Sequence, residues 1–185
     1  MQRLSRILVI LILTFLPAQP ASAKVVYVSQ SATGDGSGSS WENACATITA
    51  GLAASASLDE VWVAEGIYKE GPWLQLVTDV SLYGGFQGRV TDRNERDWMT
   101  HSVRIKSVSE AERNLWVRGA VKSLLDGFVV EGTVYCRVGT SLTMKNCKTM
   151  KDISGYHGNV VAVSGGLVRA INCEIESSQP IEGGV

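Results

Sequence analysis

The stretch Gly34-Asp35-Gly36-Ser37-Gly38-Ser39-Ser40-Trp41 lies between an alternating apolar run, KVVYVS, and a segment with helical spacing, ENACATITAGLAASA. A strand, a glycine-rich loop and a helix can cradle a phosphate, because loop N–H groups and the helix N-terminus converge on the anion. Here the third glycine of a dinucleotide fingerprint is missing, QSAT separates loop from strand, and Glu65 stands too far along to hold a ribose. Asp35, Ser37 and Ser39 alternate like the first ligands of a calcium loop, but Ser40 and Ala46 occupy the places of its glycine and final acid. The composition suits a flexible connection in which Ser39 or Ser40 caps a helix over residues 41–56. Trp41, Cys45, Ile48 and Leu52 would share one face of that helix.

Other groups offer weaker chemistry. Four cysteines (Cys45, Cys136, Cys147 and Cys173) allow three disulfide pairings. No Cys-x-x-Cys or histidine cluster marks a metal site, and no cofactor is expected. In GRVTDRNERDW, Arg89, Arg93 and Arg96 alternate with Asp92, Glu95 and Asp97. Such a loop can grip an anionic sugar, but mixed signs favour internal compensation. Trp73, Trp98 and Trp116 can stack on sugar rings or simply pack. A formal net charge of −1 argues against a nucleic-acid partner, which calls for a basic face.

The first residues address the chain. Arg3 and Arg6 precede an apolar run from Ile7 to Leu16, and PAQPASA ends in Ala21-Ser22-Ala23. This is the pattern of a secretory signal, with cleavage expected between Ala23 and Lys24. The run is short for a bilayer, so no transmembrane segment is expected in the mature chain. No cysteine follows the run, which speaks against a lipoprotein. The destination is outside the cytoplasm: secreted, extracellular or in the cell envelope.

Downstream, short apolar runs such as DEVWVAEGIY, SLYGGF, SVRIKSV, LLDGFVVEG, SLTMKNC and LVRAINCEIE are broken by glycine or polar residues. They read as strands. Asn146-Cys147 recurs as Asn172-Cys173, and the same shift aligns Leu142 with Val168, Met144 with Ala170 and Thr149 with Ile175. A second shift aligns Asp126 with Asn146, Gly127 with Cys147, Leu124 with Met144 and Val129 with Thr149. Within a unit the apolar parity flips at the Asp/Asn position, which marks a bend between two strands. Stacked bends would set Asp126, Asn146 and Asn172 in a column about 4.8 Å apart, with Gly127, Cys147 and Cys173 pointing inward beside it. Units of roughly 20 to 26 residues that stack in this way are compatible with a parallel β-helix.

The ordered set YVSQSATGDGSGSSWENACATITAGLAASASLDEVWVAEGIYK, SLYGGFQGRVTDRNERDW, LDGFVVEG and the NC units resembles the N-terminal part of secreted bacterial right-handed β-helix proteins of the pectin-lyase-like superfamily. The resemblance implies an all-β fold, a right-handed parallel β-helix (solenoid) with an N-terminal α-helical cap. It divides the chain into a signal peptide (1–23), a cap (24–58) and coils (59–185). SSQPIEGGV supplies no closing cap, so the coils are expected to be truncated at the C-terminus, as in a piece of a longer product.

Enzymes of that superfamily cleave acidic polysaccharides, and lyases among them need a Lys or Arg base and neutralisation of the uronate. No such constellation is recognisable here, and no catalytic residue is assigned. Glu174 and Glu176 share a strand face, but the repeat sets them against Lys148 and Met150, so a Lys148–Glu174 ion pair is the ordinary expectation. Tyr156 and His157 lie in the longer unit KDISGYHGN and are the candidate carbohydrate contacts. The expectation is a monomeric, non-catalytic adhesive or carbohydrate-contacting module whose partner is a polysaccharide or cell-surface glycan. The alternative is a lyase or glycosidase of the same fold.

Overall fold

The computed structural model describes residues 23–108, 116–118, 120–151 and 161–177. Among them the protein is all-β, with parallel sheets and a single α-helix, α1 (Ile48–Ala54). The first sheet contains β1 (Val25–Val28), β2 (Glu60–Ala64), β5 (Ser81–Phe86), β8 (Ser123–Asp126), β11 (Ser141–Lys145) and β14 (Leu167–Ile171), in that order. The second runs β3 (Gly66–Glu70), β6 (Val103–Ser107), β9 (Phe128–Glu131), β12 (Lys148–Lys151) and β15 (Glu174–Ser177). The third runs β4 (Trp73–Gln75), β7 (Trp116–Arg118), β10 (Thr133–Arg137) and β13 (Val161–Ser164). From β2 onward the chain visits first, second and third sheets in constant order, and each strand pairs in parallel with its counterparts one circuit away.

Alternation produces this arrangement. One face of each strand turns to a shared interior, where Val61, Val63, Leu82, Leu125, Leu142 and Met144 from the first sheet are buried. Tyr68, Ile105, Phe128 and Val130 meet them from the second sheet, and Leu74, Val134 and Cys136 from the third.

The register confirms one reading and corrects another. Leu142 pairs with Val168 and Met144 with Ala170, as the NC repeat requires. One unit earlier, however, Met144 pairs with Leu125, Lys145 with Asp126, and Thr149 with Val130. That shift is one residue shorter than the one drawn from matching Asp126 to Asn146. Backbone conformation explains the difference. Gly127, Asn146 and Asn172 have φ of 86°, 50° and 51°. The equivalent positions share a left-handed bend, which Gly and Asn tolerate best. The residue following each bend is Phe128, Cys147 and Cys173, so Phe128, not Gly127, occupies the inward slot.

The glycine-rich loop has a structural task. β1 pairs with β2 on one side only. On its other side Tyr27 N donates to Gly38 O, Cys45 N to Tyr27 O, and Ser29 N to Cys45 O, all at 2.9 Å. The loop thus satisfies an edge that would otherwise be free to pair with another chain. Gly38 (φ 75°) is needed here, because a Cβ would come within 2.7 Å of Val26 Cγ1. Ser40 Oγ accepts from Asn43 N within a turn and does not cap the helix. Trp41 packs on Tyr27 and Phe86, and its Nε1 donates to Val90 O at 2.7 Å.

Because residues up to Cys45 serve this edge, the helix is shorter than expected. It starts at Ile48, and Thr47 Oγ1 accepts from Ala50 N. Trp41 and Cys45 are therefore not on it. Glu70 of β3, 3% exposed, accepts from Ile48 N, Thr49 N and Thr49 Oγ1, so its carboxylate closes the helix N-terminus from the neighbouring sheet. Ile48 and Leu52 are buried, and α1 packs on β1, β2 and β3. A Cβ on Gly51 would meet Val28 Cγ2 at 2.4 Å, which measures how closely the helix approaches the first strand. Leu52→Asp should cost ~3 kcal/mol or more in urea unfolding, because the carboxylate is either buried or lifts the helix. An unchanged midpoint together with unchanged solubility would show that α1 does not seal this end.

Candidate functional site

A long irregular connection runs from β5 to β6 and carries the charged stretch 89–97. Asp92 Oδ1 accepts from Asn94 N and starts a short 3-10 turn at Arg93–Glu95. Asp97 then accepts from Thr100 Oγ1 at 2.7 Å, Thr100 N at 3.1 Å and Met99 N at 3.0 Å, and these bonds, the Thr100 hydroxyl first, hold its carboxyl below the usual carboxylate range. The two turns fix the backbone of Trp98 between them. It lies against two glycines: a Cβ on Gly85 would approach Trp98 Cα to 2.6 Å, and one on Gly127 would approach Trp98 Cβ to 2.9 Å.

Two of the loop's three arginines are spent on the fold. Arg93 pairs with Glu60 and donates to Tyr83 Oη at 3.1 Å. Arg96 pairs with Asp126 at 2.8 Å, donates to Gly84 O at 3.1 Å, and stands 5.3 Å from the Tyr83 ring centroid. The Arg96 and Asp126 side chains are only 14% and 7% exposed. His101 Nδ1 lies 2.9 Å from Glu65 Oε2. The geometry corrects the expectation of internal compensation: Arg93 and Arg96 pair with carboxylates of the strands, Glu60 and Asp126, while Asp92 and Asp97 accept from backbone N–H groups and Thr100 of the connection itself.

Asp126 also begins a polar column. Asn146 Nδ2 donates to Asp126 Oδ1 at 2.9 Å, and Asn172 Nδ2 donates to Asn146 Oδ1 at 2.7 Å. Beside the column Cys147 is buried, whereas Cys173 is partly open. The thiols interact. Cys147 Sγ donates to Lys145 O at 3.0 Å and Cys173 Sγ to Ile171 O at 3.3 Å; the neighbouring Cys147 thiol holds the Cys173 thiol down at about 6, while burial raises the Cys147 thiol. Lys148 lies 3.1 Å from Glu174 and 2.9 Å from Glu176, and these bonds, Glu176 first, raise its ammonium. The glutamates thus share one cation, a pairing that fits the ordinary expectation for exposed charges and not an acid/base couple.

Trp98, half-buried, divides two clefts. One, of ≈ 390 Å³, is lined by Tyr83, Arg93, Arg96, Trp98, Asp126 and Lys145. The other, of ≈ 510 Å³, holds Trp98, Met99, Asn146, Lys148, Asn172 and Glu174 on its walls. An aromatic plane beside amides, a lysine and carboxylates can stack on a sugar ring and bond its hydroxyls. Trp73 is set apart in β4, and the Arg118 guanidinium lies 3.5 Å from its ring centroid. The side chain of Trp116 lies outside the described residues, and so do Tyr156 and His157, the carbohydrate contacts expected from sequence. Ala23 and Lys24, at the expected cleavage point, are both exposed and far along the chain from the clefts. Sequence reasoning missed the Arg96–Asp126 pair, Glu70 and Lys145, because each partner comes from another circuit. Neither a family model, a curated protein nor a solved structure matches the chain.

Two outcomes test this geometry. Asp126→Ala leaves Arg96 buried without its anion and Asn146 without its acceptor, and should cost about 3–5 kcal/mol in denaturant unfolding. In the native protein iodoacetamide should modify Cys173 first, with a rate that falls as pH drops through about 6. Cys45 and Cys147, whose thiols are raised by burial, should react only after unfolding.

Proposed function

We propose that the chain is an exported right-handed parallel β-helix with an N-terminal helical cap, related to the pectin-lyase-like proteins, and that it acts as a non-catalytic scaffold that contacts polysaccharide. The constant sheet order and the closed edge of β1 support the architectural part. The observation that carries the functional part is the placing of Trp98 between two clefts, on a backbone locked by Gly85 and Gly127. An aromatic plane held this way binds a sugar ring with little ordering cost. The scaffold reading is preferred to a lyase because the basic groups near Trp98 are mostly committed to structural carboxylates: Arg93 to Glu60, Arg96 to Asp126, and Lys148 to Glu174 and Glu176. A lyase base must be free to take a proton.

The test is titration of the purified protein with polygalacturonate, alginate, chondroitin sulfate and a neutral glucan. Binding to at least one polymer is expected, and Trp98→Ala should weaken it about tenfold. No rise in unsaturated-uronate absorbance and no new reducing ends should appear, with or without calcium. Binding that ignores Trp98→Ala would remove the clefts from the account, and product formation would replace the scaffold by an enzyme.

A further inference from the structure

Asp59 is a buried carboxylate, 4% exposed. Its Oδ2 accepts from Ala56 N at 2.8 Å, and its Oδ1 accepts from the backbone N of Lys24 at 3.0 Å. Among the described residues no Lys, Arg or His side chain pairs with it. Asp126, similarly buried, has Arg96. A buried carboxylate needs a cation or several donors beside it, because desolvation is costly; Glu70 has three donors, whereas Asp59 has the two backbone N–H groups.

The atom already at 3.0 Å can become that cation. Lys24 follows Ala21-Ser22-Ala23, the small-x-small end of the leader. Hydrolysis of the Ala23–Lys24 bond consumes one water: hydroxide goes to the Ala23 carbonyl carbon, leaving a carboxylate, and the Lys24 nitrogen takes up the protons to become an ammonium. Ala23 and Lys24 are exposed, so the bond is accessible and the other ammonium protons can remain in water. We infer that Asp59 is a receptor site for the ammonium of the processed N-terminus, so that leader removal locks the first strand onto the turn after α1. The inference rests on the export reading above.

The surroundings suit the role. Lys24 O accepts from Glu60 N at 2.9 Å, and Lys24 Nζ donates to Ala54 O, the last residue of α1, at 3.0 Å. One residue thus ties β1 to β2 and to the helix C-terminus. The charged groups nearby are few: α1 carries none, Glu60 is engaged by Arg93 and Trp62, and Asp79 accepts from Ser57 Oγ. The ammonium replaces an amide donor by a charged one, and a charge-assisted bond is roughly twice as strong. It also anchors the terminus that starts the whole parallel stack.

The experiment uses the full precursor expressed in an exporting bacterium. Mass spectrometry of the purified product should give a chain starting at Lys24; a retained leader would sink the export reading and this inference together. With cleavage established, Gly-Ser inserted between Ala23 and Lys24 moves the ammonium away from Asp59. The thermal midpoint at pH 6.5 should then fall by roughly 2–4 °C. Asp59→Asn should cost clearly less in the inserted background than in the natural one. Pairing favours the charged amine, so its stabilisation is complete below the unfolded α-amino value of about 7.7–8.0 and is lost as pH rises through the higher folded value. The gap between natural and inserted proteins should therefore narrow from pH 6.5 to 9.5. Equal costs of Asp59→Asn in both backgrounds, with a gap that ignores pH, would leave Asp59 a turn residue only, while the export reading would stand.

Discussion

The bend between the first and second sheets is the constraint on which the rest of the structure depends. Parallel strands of similar apolar pattern can slip against one another, and a slip by one residue turns every side chain to the wrong face. Here the bend prevents it. Gly127, Asn146 and Asn172 take the left-handed conformation at equivalent points of successive circuits, and a side-chain column crosses from circuit to circuit beside them. Its direction follows from the chemistry of the groups. An amide donates and accepts, so Asn146 can sit in the middle. A carboxylate only accepts, so Asp126 must stand where both neighbours donate, between Asn146 and Arg96. The one arginine of the loop that is deeply placed therefore supports the register from outside the sheets.

The other demand comes from the first strand. A stack of parallel strands leaves backbone groups unmet at its first edge. The chain meets them with the backbones of Gly38 and Cys45, and the helix that follows has its own free N–H groups met by the side chains of Thr47 and Glu70. Glu70 is instructive, since it lies in the second sheet yet serves the helix packed over the first strand. Burial of this carboxylate is tolerated because three donors from Ile48 and Thr49 converge on it.

Strand content, parallel stacking and the polar column were legible because they depend on period and repetition, which a single chain displays. The offset between the first two repeats was not, for a physical reason. Matching Asp126 to Asn146 follows side-chain likeness, whereas the structural invariant is positive φ, and its occupant in the earlier unit is Gly127. The helix was overextended because helical spacing from Trp41 onward is real in the letters, but pairing of Cys45 with Val28 takes precedence over it. In the candidate site Trp98 was visible as a possible plane. Its placing over Gly85 and Gly127 was not, since Gly85 lies 13 residues back along the same circuit and Gly127 on the next one.

Hydrogen-bond and charge accounting also limits what the clefts can offer a ligand. Asn146 donates to Asp126 and accepts from Asn172, so its amide is largely committed. Lys148 is shared by two glutamates, and both arginines face carboxylates. Of the cations lining the clefts, Lys145 has no carboxylate partner among the described residues. Asn172 is exposed and ends the column among those residues, which leaves its carbonyl oxygen as an available acceptor. Recognition at this surface would therefore rest on the Trp98 ring with Asn172 and Lys145 at its flanks. One aromatic plane, one amide and one lysine can orient a sugar ring, but they cannot neutralise a run of uronates. On the proposed reading, this set of groups suits holding a chain in place more than activating it.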